Sequence, residues 1–208
     1  MRKLLREIES LKASPVGDSI RERMGEFESC GREDCCTLFK ELCFCILTAN
    51  FTAERSIRIQ EAVGDGFINL SEKKLAKKLR ELGHRFPNAR AGYIVSARKH
   101  KKPLEKALKS FKDETDLRDW LAENVKGLGY KEASHFLRNV GFKNVAIIDF
   151  HIVDLLVKHE LIDRPNTMTK RRYLEVEEVL KRIAEEAGVT LAELDLYLWY
   201  METGRILK

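Results

Sequence analysis

Apolar residues recur three and four positions apart through nearly the whole chain, strict alternation is almost absent, and most Gly and Pro fall between the periodic stretches. The pattern predicts helices near residues 2–12, 17–27, 34–48, 53–63, 72–82, 88–100, 103–111, 116–124, 131–140, 150–159, 170–187 and 191–203. The fold class expected is all-α. Stretch 34–48 turns apolar nearly all round towards its end, which marks a central buried helix. Thr190-Leu191-Ala192-Glu193 reads as a capping box, Gly188 as a left-handed helix stop, and Asp149 as an N-cap before the apolar face of Ile152, Leu155 and Leu156. Repeats, low-complexity runs and clear linkers are missing. A single domain over 1–208 is expected, built as two helical lobes sharing a cleft, with Arg164-Pro165-Asn166 as the best place for the chain to cross between them.

Composition narrows the class. No long uncharged apolar run predicts a membrane span, and Met1 to Leu11 lacks the apolar region of a signal peptide, so a cytoplasmic protein is expected. A net charge of +5 permits a nucleic-acid partner without requiring one. The basic residues bunch at Arg85, Arg90, Arg98, Lys99, His100, Lys101 and Lys102, which reads equally as a DNA-facing patch or a solvated helix face. Cys30, Cys35, Cys36, Cys43 and Cys45 all lie in one segment. Their odd number and spacing suit neither a disulfide framework nor a standard zinc site, so no metal is expected, and Cys43 and Cys45 read as small core hydrophobes.

The most informative stretch runs from about 116 to 140. Leu117, Trp120, Leu121 and Val125 form one helical stripe, and Ala133, Phe136, Leu137 and Val140 another. Between them Lys126-Gly127-Leu128-Gly129-Tyr130 has room only for a tight turn, in which Gly127 and Gly129 supply access to positive φ. Backbone N–H groups aimed outward at the start of the second helix suit a phosphate. Lys131 follows at once, where the helix dipole slightly favours the neutral amine that a nucleophile needs. Asp149 comes within Ile147-Ile148-Asp149-Phe150-His151. Taken alone, the lysine reads as a surface residue and the aspartate as a cap.

Together with the hairpin, the pair resembles the signature of the helix-hairpin-helix DNA glycosylase superfamily. Lys126-Gly127-Leu128-Gly129-Tyr130-Lys131 matches the hairpin and nucleophile, with Lys126 where proline is usual, and Ile148-Asp149-Phe150-His151 matches the carboxylate segment. No cysteine follows Cys45, which excludes the iron–sulfur branch, and the chain is too short to add an N-terminal β-domain. The stretch from Gly127 to Asn139 and the end from Trp199 to Lys208 are similar to the compact microbial second family of 8-oxoguanine DNA glycosylase/lyases. The resemblance implies double-stranded DNA with an oxidised base as substrate, Lys131 and Asp149 as catalytic residues, and Gly127, Gly129 and His151 as DNA contacts. It also implies Asn50 and Arg85 as DNA contacts, Phe86 as a wedge, and Trp199 with Lys208, through a terminal carboxylate, as base-recognition residues. No cofactor is implied beyond a structural monovalent cation at the hairpin, and a monomer is expected. A glycosylase for another damaged or mismatched base is the nearest rival, and Lys131 argues against its monofunctional form. A non-catalytic hairpin module would have no use for Asp149.

Overall fold

The computed structural model describes residues 1–208 and contains helices only. They are α1 (Arg2–Lys12), α2 (Pro15–Cys30), α3 (Cys35–Thr48), α4 (Ala53–Val63), α5 (Gly66–Asn69), α6 (Glu72–Glu81), α7 (Pro87–Ala97), α8 (Lys101–Ser110), α9 (Glu114–Asn124), α10 (Tyr130–Asn139), α11 (Phe150–Lys158), α12 (Lys170–Ala187) and α13 (Leu191–Thr203). A 3₁₀ turn joins α7 to α8. Each predicted helix is present. The addition is α5, a single turn burying Phe67, too short to leave a period in the sequence. The expected caps form: Thr190 and Glu193 make a capping box, Gly188 is left-handed, and Asp149 accepts the Ile152 N–H at 3.0 Å. No helix is long and apolar enough to cross a membrane.

Side chains collect into two cores. One is built by α3 to α10 around the fully buried end of α3, including Cys43 and Cys45, and the other by α1, α2, α11, α12 and α13. The chain therefore passes between lobes twice, after α2 and between Val145 and Ala146. The first passage packs against the end of α10. A Cβ on Gly31 would stand 2.1 Å from the Val140 carbonyl oxygen, so no side chain fits there. The crossing expected at Arg164-Pro165-Asn166 is not there. That loop joins α11 to α12, whose apolar faces belong to the same core; its Pro and Asn mark an exposed turn, not a change of core.

The second passage, Val145 to Ile148, is buried but neither helical nor paired as a strand. Buried backbone groups need partners, and side chains supply them for three groups of this passage. Glu177 Oε1 accepts the Ala146 N–H at 2.8 Å. Tyr173 Oη donates to the Ala146 carbonyl at 2.6 Å and accepts from the Ile148 N–H at 3.2 Å. Just upstream, Glu114 accepts the Lys143 and Asn144 amides. Glu177 is in turn paired at 2.5 Å with Arg118 of the other lobe, both wholly buried, and the Arg118 guanidinium lies over the Tyr130 and Tyr173 rings. Arg118→Met strands a buried carboxylate and is expected to cost about 3–5 kcal/mol, read from the denaturant midpoint. Adding Glu177→Gln, which keeps an acceptor for Ala146, should restore much of that loss; a single variant as stable as wild type would remove the pair from this role.

Candidate active site

A cleft of about 990 Å³ lies between the lobes. Its walls come from the loop after α3, the first turns of α10, segment 147–151, the start of α12, α13 and the tail. Lys131 and Asp149 both line it. Lys131 opens α10, with its side chain 24% exposed and its Nζ 4.0 Å from Glu132 Oε1. Asp149 stands where the extended passage becomes α11, and its capping bond to Ile152 holds one carboxylate oxygen. Capping and presentation to the cleft are thus properties of the same side chain.

The hairpin before Lys131 is a tight turn held by the Leu128 N–H to Val125 carbonyl bond at 3.1 Å. Leu128 is buried between the two helices. Gly127 has φ +98°, and a Cβ there would meet the Tyr93 ring at 2.6 Å; both facts require glycine. Neither Gly127 nor Gly129 lines the cleft. The Gly129 amide donates to Glu132 Oε2 at 3.1 Å, so it is already engaged. The amides of Tyr130 and Lys131 open the helix with no carbonyl one turn back.

Among the other predicted residues, Asn50, Arg85, His151 and Trp199 line the cleft. Asn50 is exposed with φ +56°. His151 meets the Trp199 ring edge-on at 5.0 Å, and the buried Trp199 Nε1 has no hydrogen-bond partner. Trp199 is half-buried in the cleft wall while its neighbour Leu198 belongs to the core. Phe86 lies outside the cleft, 38% exposed, at the tip before Pro87 opens α7, with the Arg85 guanidinium over its ring. The Asn50 and Phe86 loops are tied together. His84 bonds the Leu47 carbonyl at 3.0 Å through Nε2 and accepts the Phe86 amide at 3.0 Å through Nδ1, and Arg90 donates to the Ala49 carbonyl. Lys208 lines the cleft as well.

The basic bunch read from the sequence splits apart. Arg90 is buried on the Ala49 carbonyl, and Arg98 donates to the carbonyls of Phe67 and Leu70, where it closes α5. Only Arg85 of that group reaches the cleft.

Sequence reading did not assign His135, Arg138 and Asp195, all buried and all lining the cleft. Lys131, His135 and Arg138 are four and three residues apart, so they share one face of α10; that spacing was the available signal. Both His135 ring nitrogens lack partners, and burial, with Arg138 and Lys131 nearby, holds the imidazole well below its usual range and neutral. Arg138 and Asp195 form an ion pair across the lobes. Burial pushes the Asp195 carboxyl up to about 6, against the pull of Arg138 and with a further push from the Asp149 charge. No three His, Cys, Asp or Glu side chains gather as a metal-binding group.

Known proteins resemble this arrangement over its whole length. The family model described as 8-oxoguanine DNA glycosylase matches residues 20–189. The 8-oxoguanine DNA glycosylase/AP lyase of Korarchaeum cryptofilum is 54% identical, over 99% of this chain and 98% of that protein. The crystal structure of the Methanocaldococcus jannaschii 8-oxoguanine glycosylase/lyase with a 15mer DNA containing 8-oxoguanine superposes with a TM-score of 0.96 at 51% identity, covering 99% and 100% of the two chains. The Thermotoga maritima 8-oxoguanine DNA glycosylase structure gives 0.94 at 44%, covering 100% and 99%. The helical fold, the hairpin and the cleft are therefore those of a known lineage, and this chain belongs to the 8-oxoguanine DNA glycosylase family.

Proposed function

We propose that this protein excises 8-oxoguanine from double-stranded DNA and then cleaves the strand at the abasic site. The observation that carries the reading is the meeting of Lys131 and Asp149 in one cleft behind a glycine hairpin, in a chain of this family. A base inside a duplex cannot be reached by either group, so the damaged nucleotide must leave the stack and enter the cleft. The hairpin amides would bind the phosphate backbone, with Gly127 and Gly129 allowing its close approach. Phe86 fills the gap left in the stack; Asn50, Arg85 and His151 contact the DNA around it. Trp199 stacks on the flipped base, and its partnerless indole N–H is available to the ligand. Lys208 closes the pocket.

The Lys131 amine attacks C1′ of the flipped nucleotide as the bond to the base breaks. Asp149 accepts the proton of the attacking amine and stabilises positive charge developing on the sugar. Opening of the sugar leaves Lys131 joined to it as a Schiff base. Loss of a C2′ proton then expels the 3′ phosphate and breaks the strand. The bond-making groups are side chains of this chain.

Asp195 sets the acid side of the activity. Below about pH 6 it takes a proton, its pair with Arg138 is lost, and a bare guanidinium is left on the Lys131 face of α10. The raised carboxyl makes its own ionisation costly to folding above that pH and relieves the cost below it, so acid unfolding through this group is not the origin of the limb.

Borohydride trapping on an 8-oxoguanine duplex is expected to give a covalent adduct with wild type and none with Lys131→Gln. Full trapping by the variant would end the lyase assignment. Asp149→Asn should still bind the duplex and cut it at least about 100-fold more slowly; loss of folding in circular dichroism would leave capping as its only role. Single-turnover excision should fall as pH drops through about 6, and Asp195→Asn should flatten that inflection. A limb that survives the substitution belongs to another group.

A further inference from the structure

The Lys208 ammonium takes no part in the chemistry above, yet it is bound on three sides. Its Nζ lies 2.8 Å from Glu41 Oε2 and 2.6 Å from Gln60 Oε1, and 4.6 Å from the centre of the Phe44 ring. These partners sit on α3 and α4 of the first lobe, and none of them lines the cleft. They are themselves fixed. Gln60 Nε2 donates to Glu41 Oε2 at 3.1 Å and to the Lys40 carbonyl at 3.0 Å, which leaves its oxygen for Lys208. Glu41 Oε1 accepts from Asn139 Nδ2 at 2.6 Å, and Asn139 Oδ1 accepts from Arg138 Nε at 3.1 Å. Arg138 then reaches Asp195 across the lobes.

The Glu41 side chain is 7% exposed and that of Lys208 23%. A desolvated, multiply bonded ion pair holds its geometry far better than a surface pair does. The tail needs such a hold. Helix α13 stops at the left-handed Gly204, and residues beyond it have no regular structure, a segment that frays unless tied down. Yet Leu207 and Lys208 form part of the cleft wall.

We propose that Glu41, with Gln60 and Phe44, is a clamp that grips the Lys208 side chain and fixes the tail as one wall of the base pocket. Glu41 is then a positioning residue for base recognition, and it touches no substrate. The inference rests on the reading that the cleft takes a flipped 8-oxoguanine. It also separates two steps. Excision needs the base gripped, whereas strand cleavage at a preformed abasic site has no base to grip.

The test compares Lys208→Met, Glu41→Gln and the double variant in the full chain. Single-turnover release of 8-oxoguanine should fall on the order of 10-fold to 100-fold in each single variant, with little further loss in the double variant because both break one contact. In Glu41→Gln, cleavage of a duplex with a preformed abasic site should stay within about twofold of wild type. Excision at the wild-type rate in Lys208→Met, equal loss of both activities in Glu41→Gln, or multiplying losses in the double variant would each overturn the clamp. A second readout needs no substrate: trypsin should cut after Arg205 faster in Lys208→Met than in wild type, and an unchanged rate would also overturn the proposal. If wild type releases no 8-oxoguanine, the lesion reading fails, and the protease comparison alone decides the clamp.

Discussion

A buried stretch of backbone with no helix or sheet to satisfy it is the constraint on which this molecule turns. Val145 to Ile148 carries the chain from one core to the other and delivers Asp149 to the cleft. Each orphaned amide or carbonyl there would cost about 1–3 kcal/mol. Tyr173 and Glu177, neighbours one turn apart on α12, satisfy three such groups, and Arg118 neutralises Glu177 from the opposite lobe. One cluster therefore engages three backbone groups of the passage and joins the lobes. Tyr173 also reaches Ser134 on α10 at 3.4 Å, which couples the passage to the helix that carries Lys131.

Helix α10 is the second organising element. Its first turn presents Lys131, the next His135, the next Arg138, and its last residue Asn139 passes the contact on to Glu41. This line of buried polar groups is unusual inside a helical core and is tolerated because nearly every member is bonded. The exceptions are informative. The His135 nitrogens and the Trp199 indole N–H have no protein partner and belong to residues that line the cleft, where a purine has donors and acceptors to offer them.

The loops that carry Asn50 and Phe86 show the same economy of support. Asn50 and Phe86 sit on separate loops, and His84 and Arg90 bind both loops to the end of α3. Arg90 and Arg98 belong to a basic bunch that the sequence alone reads equally as a DNA-facing patch or a solvated helix face. Their guanidinium groups are instead used on carbonyls at element ends, which leaves fewer cations for the substrate than the charge count suggests.

The chain's own pattern determined a great deal. Period and caps located the helices because amphipathicity and end-capping are local, and the hairpin was legible because Gly127 answers to a backbone angle and a tight turn. Lys131 and Asp149 were legible only as members of a spaced motif. What tertiary structure decided was every contact made over long sequence separations: Arg118 with Glu177, Arg138 with Asp195, and Lys208 with Glu41 and Gln60. A charged residue in a sequence looks the same whether it ends in solvent or in a desolvated pair, because its partner is chosen by packing. That is why the crossing between lobes was misplaced at an ordinary surface turn, and why Glu41, fixed among apolar neighbours on α3, gave no sign of holding the far end of the chain.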